Sequence, residues 1–155
     1  MESSSSPSDL VLLDELRRRR GELRESMDAL EGALAWPARV DPVRWAERVH
    51  VALVELSGDF REHIEITEGP EGIHGDLVAS SPRLSGPVES LTREHDVIRR
   101  HLDGLLARVA LPDAGEDVDR VRDLGTALLG RLVRHRQRGA DLVFEAYEYD
   151  IGGET

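Results

Sequence analysis

Apolar residues recur at steps of three and four in four separate stretches of the chain, the spacing that gathers side chains on one helix face. The first series is Leu13, Leu16, Leu23, Met27, Leu30 and Leu34. Ser8 or Asp9 can cap its start, and Pro37 stops it near Ala35. The second begins at the Asp41-Pro42 cap, reads Val49, Leu53, Leu56, Phe60, His63 and Thr67, and ends near Glu68, before Gly69-Pro70. The third reads Val88, Leu91, His95, Ile98, Leu102, Leu105 and Val109. The fourth reads Val121, Leu124, Leu128, Leu132, His135, Gly139, Leu142 and Ala146, with Gly152-Gly153 as its stop. The spacing predicts helices near 9–35, 42–68, 87–110 and 117–150, with no competing strand period. The Gly-, Pro- and Ser-rich connection from Gly69 to Pro87 reads as a loop in which only DLVAS could turn helical.

Four long amphipathic helices with short or moderate connections define an all-α, antiparallel up-down-up-down four-helix bundle. Each stripe carries a charged or imidazole side chain among its apolar ones: Arg20, His63, His95 and His135. Counted along the helices at about 1.5 Å per residue, the four interruptions fall near one level of the core. A single histidine on an apolar stripe is most often a hydrogen-bonded core residue. Three at one level have two readings: converging neutral imidazoles that hold a transition metal, or a polar network that fixes helix register. His50 and His101 lie off the stripes, and His74, in the glycine-rich connection, is expected to be solvated.

The 155-residue length suits one domain, with residues 1–7 as a disordered Ser-rich tail and 8–155 as the bundle. The net charge of −11 argues against nucleic-acid and anionic-membrane partners, and a protein partner or a second copy of the chain remains open. The absence of cysteine removes disulfides and thiolate-held metals. With no signal-peptide pattern and no apolar run of about 20 residues, the expected location is the cytoplasm. The run Arg17 to Arg20 sits among Glu15, Glu22 and Glu25 and reads as a solvated, ion-paired face. Of the two ExxH patterns, Glu47…His50 is off the stripe and Glu71…His74 lies in the connection, so neither suits a ferritin-like site. No HExxH, phosphate loop or nucleophile–base pair is present, and a non-enzymatic protein is expected.

Three stretches carry a family resemblance: FREHIEITEGPEG from Phe60, LTREHDVIRRHLDGL from Leu91, and HRQRGADLVFEAYEYDIGG from His135. They resemble hemerythrin-like (HHE) domains, bacterial members in particular. That family implies a four-helix bundle holding non-haem di-iron with histidines and bridging carboxylates, and a role in binding oxygen or sensing oxygen, iron or redox state. His63, His95 and His135 match the leading histidines of its second, third and fourth helices. The other positions depart: Arg20 stands where the first-helix histidine belongs, Thr67 and Arg99 replace a glutamate and a histidine, and Gly139 and Ala140 replace a carboxylate. A di-iron site needs anionic oxygen ligands, and a guanidinium repels a dication. The resemblance therefore implies a reduced site with fewer than two irons per chain, or no metal in a bundle kept as an interaction module. Glu68, Glu94 and Asp141, at the edge of the core, are the candidate additional ligands. They are equally the expected partners of Arg20 if its charge is buried. A carboxylate aimed into the histidine layer favours metal; an Arg20–carboxylate pair filling it favours the module.

Overall fold

The computed structural model describes the backbone of residues 7–146 and the side chains of residues 10–146. Five α-helices follow in order: α1 Pro7–Ala35, α2 Pro42–Glu68, α3 Ile73–Ser80, α4 Ser85–Val109 and α5 Val118–Phe144. Short 3-10 turns at Pro82–Leu84 and Ala114–Glu116 precede α4 and α5. The expected stop of the last helix at Gly152-Gly153, the EAYEYDIGG motif beyond Ala146 and most of the Ser-rich tail lie outside the described residues; Pro7, assigned to that tail, opens α1.

The four long helices pack around a ring, α1 on α2, α2 on α4, α4 on α5 and α5 on α1. Contacts at the helix ends fix their directions. Trp45, at the start of α2, donates Nε1–H to Leu34 O near the end of α1 at 3.3 Å. Arg122, at the start of α5, donates to Leu34 O at 2.8 Å and Trp36 O at 3.0 Å. Neighbouring helices are therefore antiparallel. Local chemistry sets the ends: Asp41 accepts from Arg44 N at 3.0 Å with Pro42 in the first turn of α2. Gly69 and Gly72 end α2 because a Cβ on either would collide with the backbone carbonyl of Glu65 or Thr67.

The stripes form the core. Leu23, Leu30, Val49, Leu53, Leu56, Val121 and Leu132 have no exposed surface. Two separate apolar clusters result. The larger fills the bundle from Leu23 and Ile64 to Val109 and Val121. The smaller joins Leu16 of α1, Ile73 and Leu77 of α3, Leu84, Val88 and Leu91 on the way into α4, and Leu142 of α5. Along α2, α4 and α5 the histidines lie between the two clusters.

The connection after Gly69 is helical over DLVAS, as the sequence allowed, and also over the three residues before it. It folds as α3, which buries Ile73, His74 and Leu77 and packs on α2 and α4. His74, expected to be solvated, is buried, stacks on His95 with ring centroids 6.0 Å apart and has Nδ1 3.3 Å from Thr92 Oγ1. An apolar face supplied by α2 and α4 overrides the glycine-rich composition.

Candidate metal centre

Stripe positions on α2, α4 and α5 bring His63, His95 and His135 to one point. All three are buried. The Nε2 atoms of His63 and His135 are 3.2 Å apart, and those of His95 and His135 3.1 Å apart. One ring nitrogen from each lies within 4.8 Å of the others. Phe60 walls the layer on the side of the larger cluster, stacked on His63 at 5.8 Å and edge-on to His95 at 5.7 Å.

The outer nitrogens face carboxylates. His95 Nδ1 lies 3.0 Å from Glu68 Oε2, and His135 Nδ1 lies 3.0 Å from Glu94 Oε1. Arg138 Nη1 reaches the second oxygen of Glu94 at 3.0 Å. Glu68 and Glu94 thus stand behind the histidines. Asp141 is exposed and accepts from Gln137 at 2.9 Å. The substituted family positions stay out of the layer as well. Thr67 donates its hydroxyl to His63 O at 2.8 Å, Arg99 is exposed, and Gly139 and Ala140 are half-buried.

Arg20 is half-buried and shares a cavity wall with His63 and His135, which puts it at the histidine level. The carboxylate partner expected for it is not found: it makes no hydrogen bond or ion pair with a described residue, because Glu68, Glu94 and Asp141 are turned to other groups. The criterion of an Arg20–carboxylate pair filling the layer is not met.

Burial holds the rings neutral. The His63 pKa is pushed down to about 3, first by desolvation and then by the charges of His135, His74, Arg20 and Arg136. That of His74 is pushed down to about 4, again by burial first. His95 and His135 are lowered by the same cause, with the Glu94 hydrogen bond partly opposing the shift at His135. Since the unfolded chain takes up protons first, metal-free protein is expected to lose stability as pH falls from about 6.5 toward about 3. Denaturant melts between pH 7 and 4 check this. A metal-free protein equally stable across that window shows that the rings are already charged in the fold.

The proton arrangement is informative. Glu68 and Glu94 as carboxylates can only accept, so each Nδ1 they face carries the proton and each opposite Nε2 presents a lone pair. The Nε2 atoms of His95 and His135 then meet at 3.1 Å as two acceptors. A proton on His63 Nε2 can satisfy its contact with His135 but not the second one. A cation shared by all three nitrogens satisfies every contact. At metal–nitrogen distances of about 2.0–2.1 Å, neighbouring ligand atoms are about 3.0–3.4 Å apart, so the observed separations suit imidazoles on one transition-metal ion. A buried histidine whose outer nitrogen faces a carboxylate is also the usual support of such a ligand. The described residues fit one ion, and no carboxylate among them is placed to bridge two.

A second group of metal-type side chains, Glu22, Asp59 and Glu62, lies on the α1–α2 face. There Arg19 pairs with Glu22 and Glu62, and Ser26 donates to Asp59, so the group reads as a surface ion network. Sequence reading passed over it because carboxylates on adjoining helix faces carry no periodic signal.

The family model described as hemerythrin HHE cation binding domain matches residues 11–147. Comparison with curated proteins gave no match, nor did comparison with solved structures. The chain belongs to the hemerythrin HHE cation-binding family.

Proposed function

We propose that this protein binds a single transition-metal ion, with iron the natural occupant, through Nε2 of His63, His95 and His135, and acts as a non-catalytic oxygen- or redox-responsive sensor or carrier. The observation that carries the reading is the pair of carboxylate-backed imidazoles whose lone pairs face one another at 3.1 Å. When bound, such an ion supplies redox chemistry and an affinity for oxygen. The chain's own residues hold the three nitrogens in register, fix the tautomers through Glu68 and Glu94, and wall one side of the layer with Phe60. The reduced set of ligands is a degenerate form of the family's di-iron site, which fits fewer than two irons per chain.

Protein produced in iron-supplemented medium is expected to carry close to one metal per chain, and the triple His63→Ala, His95→Ala, His135→Ala variant none. Two irons per chain, or none in the parent protein, sinks the proposal. Glu68→Ala and Glu94→Ala should each weaken cobalt(II) binding by about 10–100-fold with the ligands intact. Unchanged affinity in both removes their orienting role.

A second reading is a metal-free bundle used as an interaction module. What favours it is Glu68, whose carboxyl is raised by burial and by Asp96 against the opposing charge of Arg99. A protonated Glu68 would donate to Nδ1 of a neutral His95, whose own proton would then sit on Nε2 and be donated to His135 without a metal. The metal-content experiment separates the two.

A further inference from the structure

We propose that the cavity beside the histidine layer binds a small planar oxyanion, of the size of formate or nitrite, between the guanidinium groups of Arg20 and Arg136. The proposal goes beyond the metal reading and does not require it. The cavity, about 30 Å³, is bounded by α1, α2, α3, α4 and α5 and lined on its apolar side by residues such as Leu16, Ile73 and Leu142. Arg20 and Arg136 are both in its wall. Two cations in a half-buried pocket repel each other and lose hydration, an arrangement that persists at low cost only with a counter-charge.

No described carboxylate supplies that charge. Glu68 and Glu94 are held by His95 and His135, and Asp141 by Gln137. Asp28 is the acid that acts on Arg136, and it does so without a hydrogen bond to the Arg136 Nε. A donor is left over at the site. Arg136 Nε is buried with no hydrogen-bond partner among the described residues. A guanidinium edge matches a planar oxyanion in two parallel hydrogen bonds. A cavity of about 30 Å³ has room for about two water-sized groups, which admits a three-atom anion and excludes a tetrahedral phosphate.

The test uses metal-free, 15N-labelled full-length protein titrated with sodium formate, with ionic strength held by sodium gluconate, an anion too large to enter. A saturable shift of the Arg136 Nε–H resonance is expected. Arg136→Gln and Arg20→Gln should each weaken formate binding by about tenfold or more. Arg20→Gln, which removes one of two like charges, should melt no lower than the parent protein in gluconate, while formate should raise the parent's Tm and leave that of the variant unmoved. Linear, non-saturating shifts, or parent-like affinity in both variants, overturn the proposal. So does inorganic phosphate producing the same saturable shift, because it contradicts the cavity size. Cobalt binding is measured separately on formate-free protein, so the metal reading and the anion site can fail independently.

Discussion

His135→Ala is expected to lower cobalt(II) or iron(II) affinity more than any other single change, by well over the ~100-fold upper range for loss of an orienting carboxylate. Nε2 of His135 takes part in both close nitrogen contacts, at 3.2 Å to His63 and 3.1 Å to His95. Removing it leaves two imidazoles from α2 and α4 with no third ligand from α5. The same change frees Glu94, which keeps its ion pair with Arg138, so no unpaired buried charge is created. The fold should survive, with a cavity that water can enter. Isothermal titration of the metal into parent and variant, with circular dichroism as the folding control, makes the comparison. A well-folded His135→Ala protein that binds metal like the parent places the ion elsewhere.

Trp45→Ala should give the largest loss of stability, about 3–5 kcal/mol, the range for deleting a fully buried large aromatic. Trp45 has no exposed surface and sits where the ends of α1, α2 and α5 meet. Its indole donates to Leu34 O, and the Arg122 guanidinium stands 5.5 Å from its ring centroid. After truncation Arg122 still donates to Leu34 O, so the cost comes from the cavity and the lost ring contacts. Trp45 is far along α2 from His63, and metal affinity of the folded fraction should be unchanged. Urea melts give the first quantity and cobalt titration below the transition the second. A loss under about 1 kcal/mol would mean that the site collapses onto the missing ring.

The long helices and their core faces were legible because burial follows the helical period. Every stripe position from Val49 to Thr67 on α2 and from Val88 to Val109 on α4 is buried. The three histidines were legible for the same reason, as polar residues at apolar positions. α3 was legible only as a helix that DLVAS could form, and its burial was not. Its eight residues carry little periodic information, Gly72 and Gly75 argue against a helix, and its burial depends on surfaces that α2 and α4 provide. The roles of the glutamates were half legible. Glu68 and Glu94 each neighbour a stripe position, Thr67 and His95, and so sit at the edge of the core, as the helical wheel places them. Which neighbour they face depends on side-chain reach, and the rings behind which they lie took precedence over Arg20.

The division of the core into two apolar clusters bears on how occupancy of the histidine layer could be felt elsewhere. The smaller cluster ties the beginning of α1, all of α3, the entry to α4 and the end of α5 together with far fewer buried side chains than the rest of the bundle. Such a unit can detach at a lower free energy than global unfolding. On the proposed metal reading, ligation of α2, α4 and α5 at its boundary would oppose that detachment, since the open form holds the histidines less well. An ion gained or lost at the layer would then change how often one end of the bundle opens, while the larger cluster around Trp45 and Leu53 stays packed. The change would be one of local order, and the apolar surface of α3 is what opening would uncover.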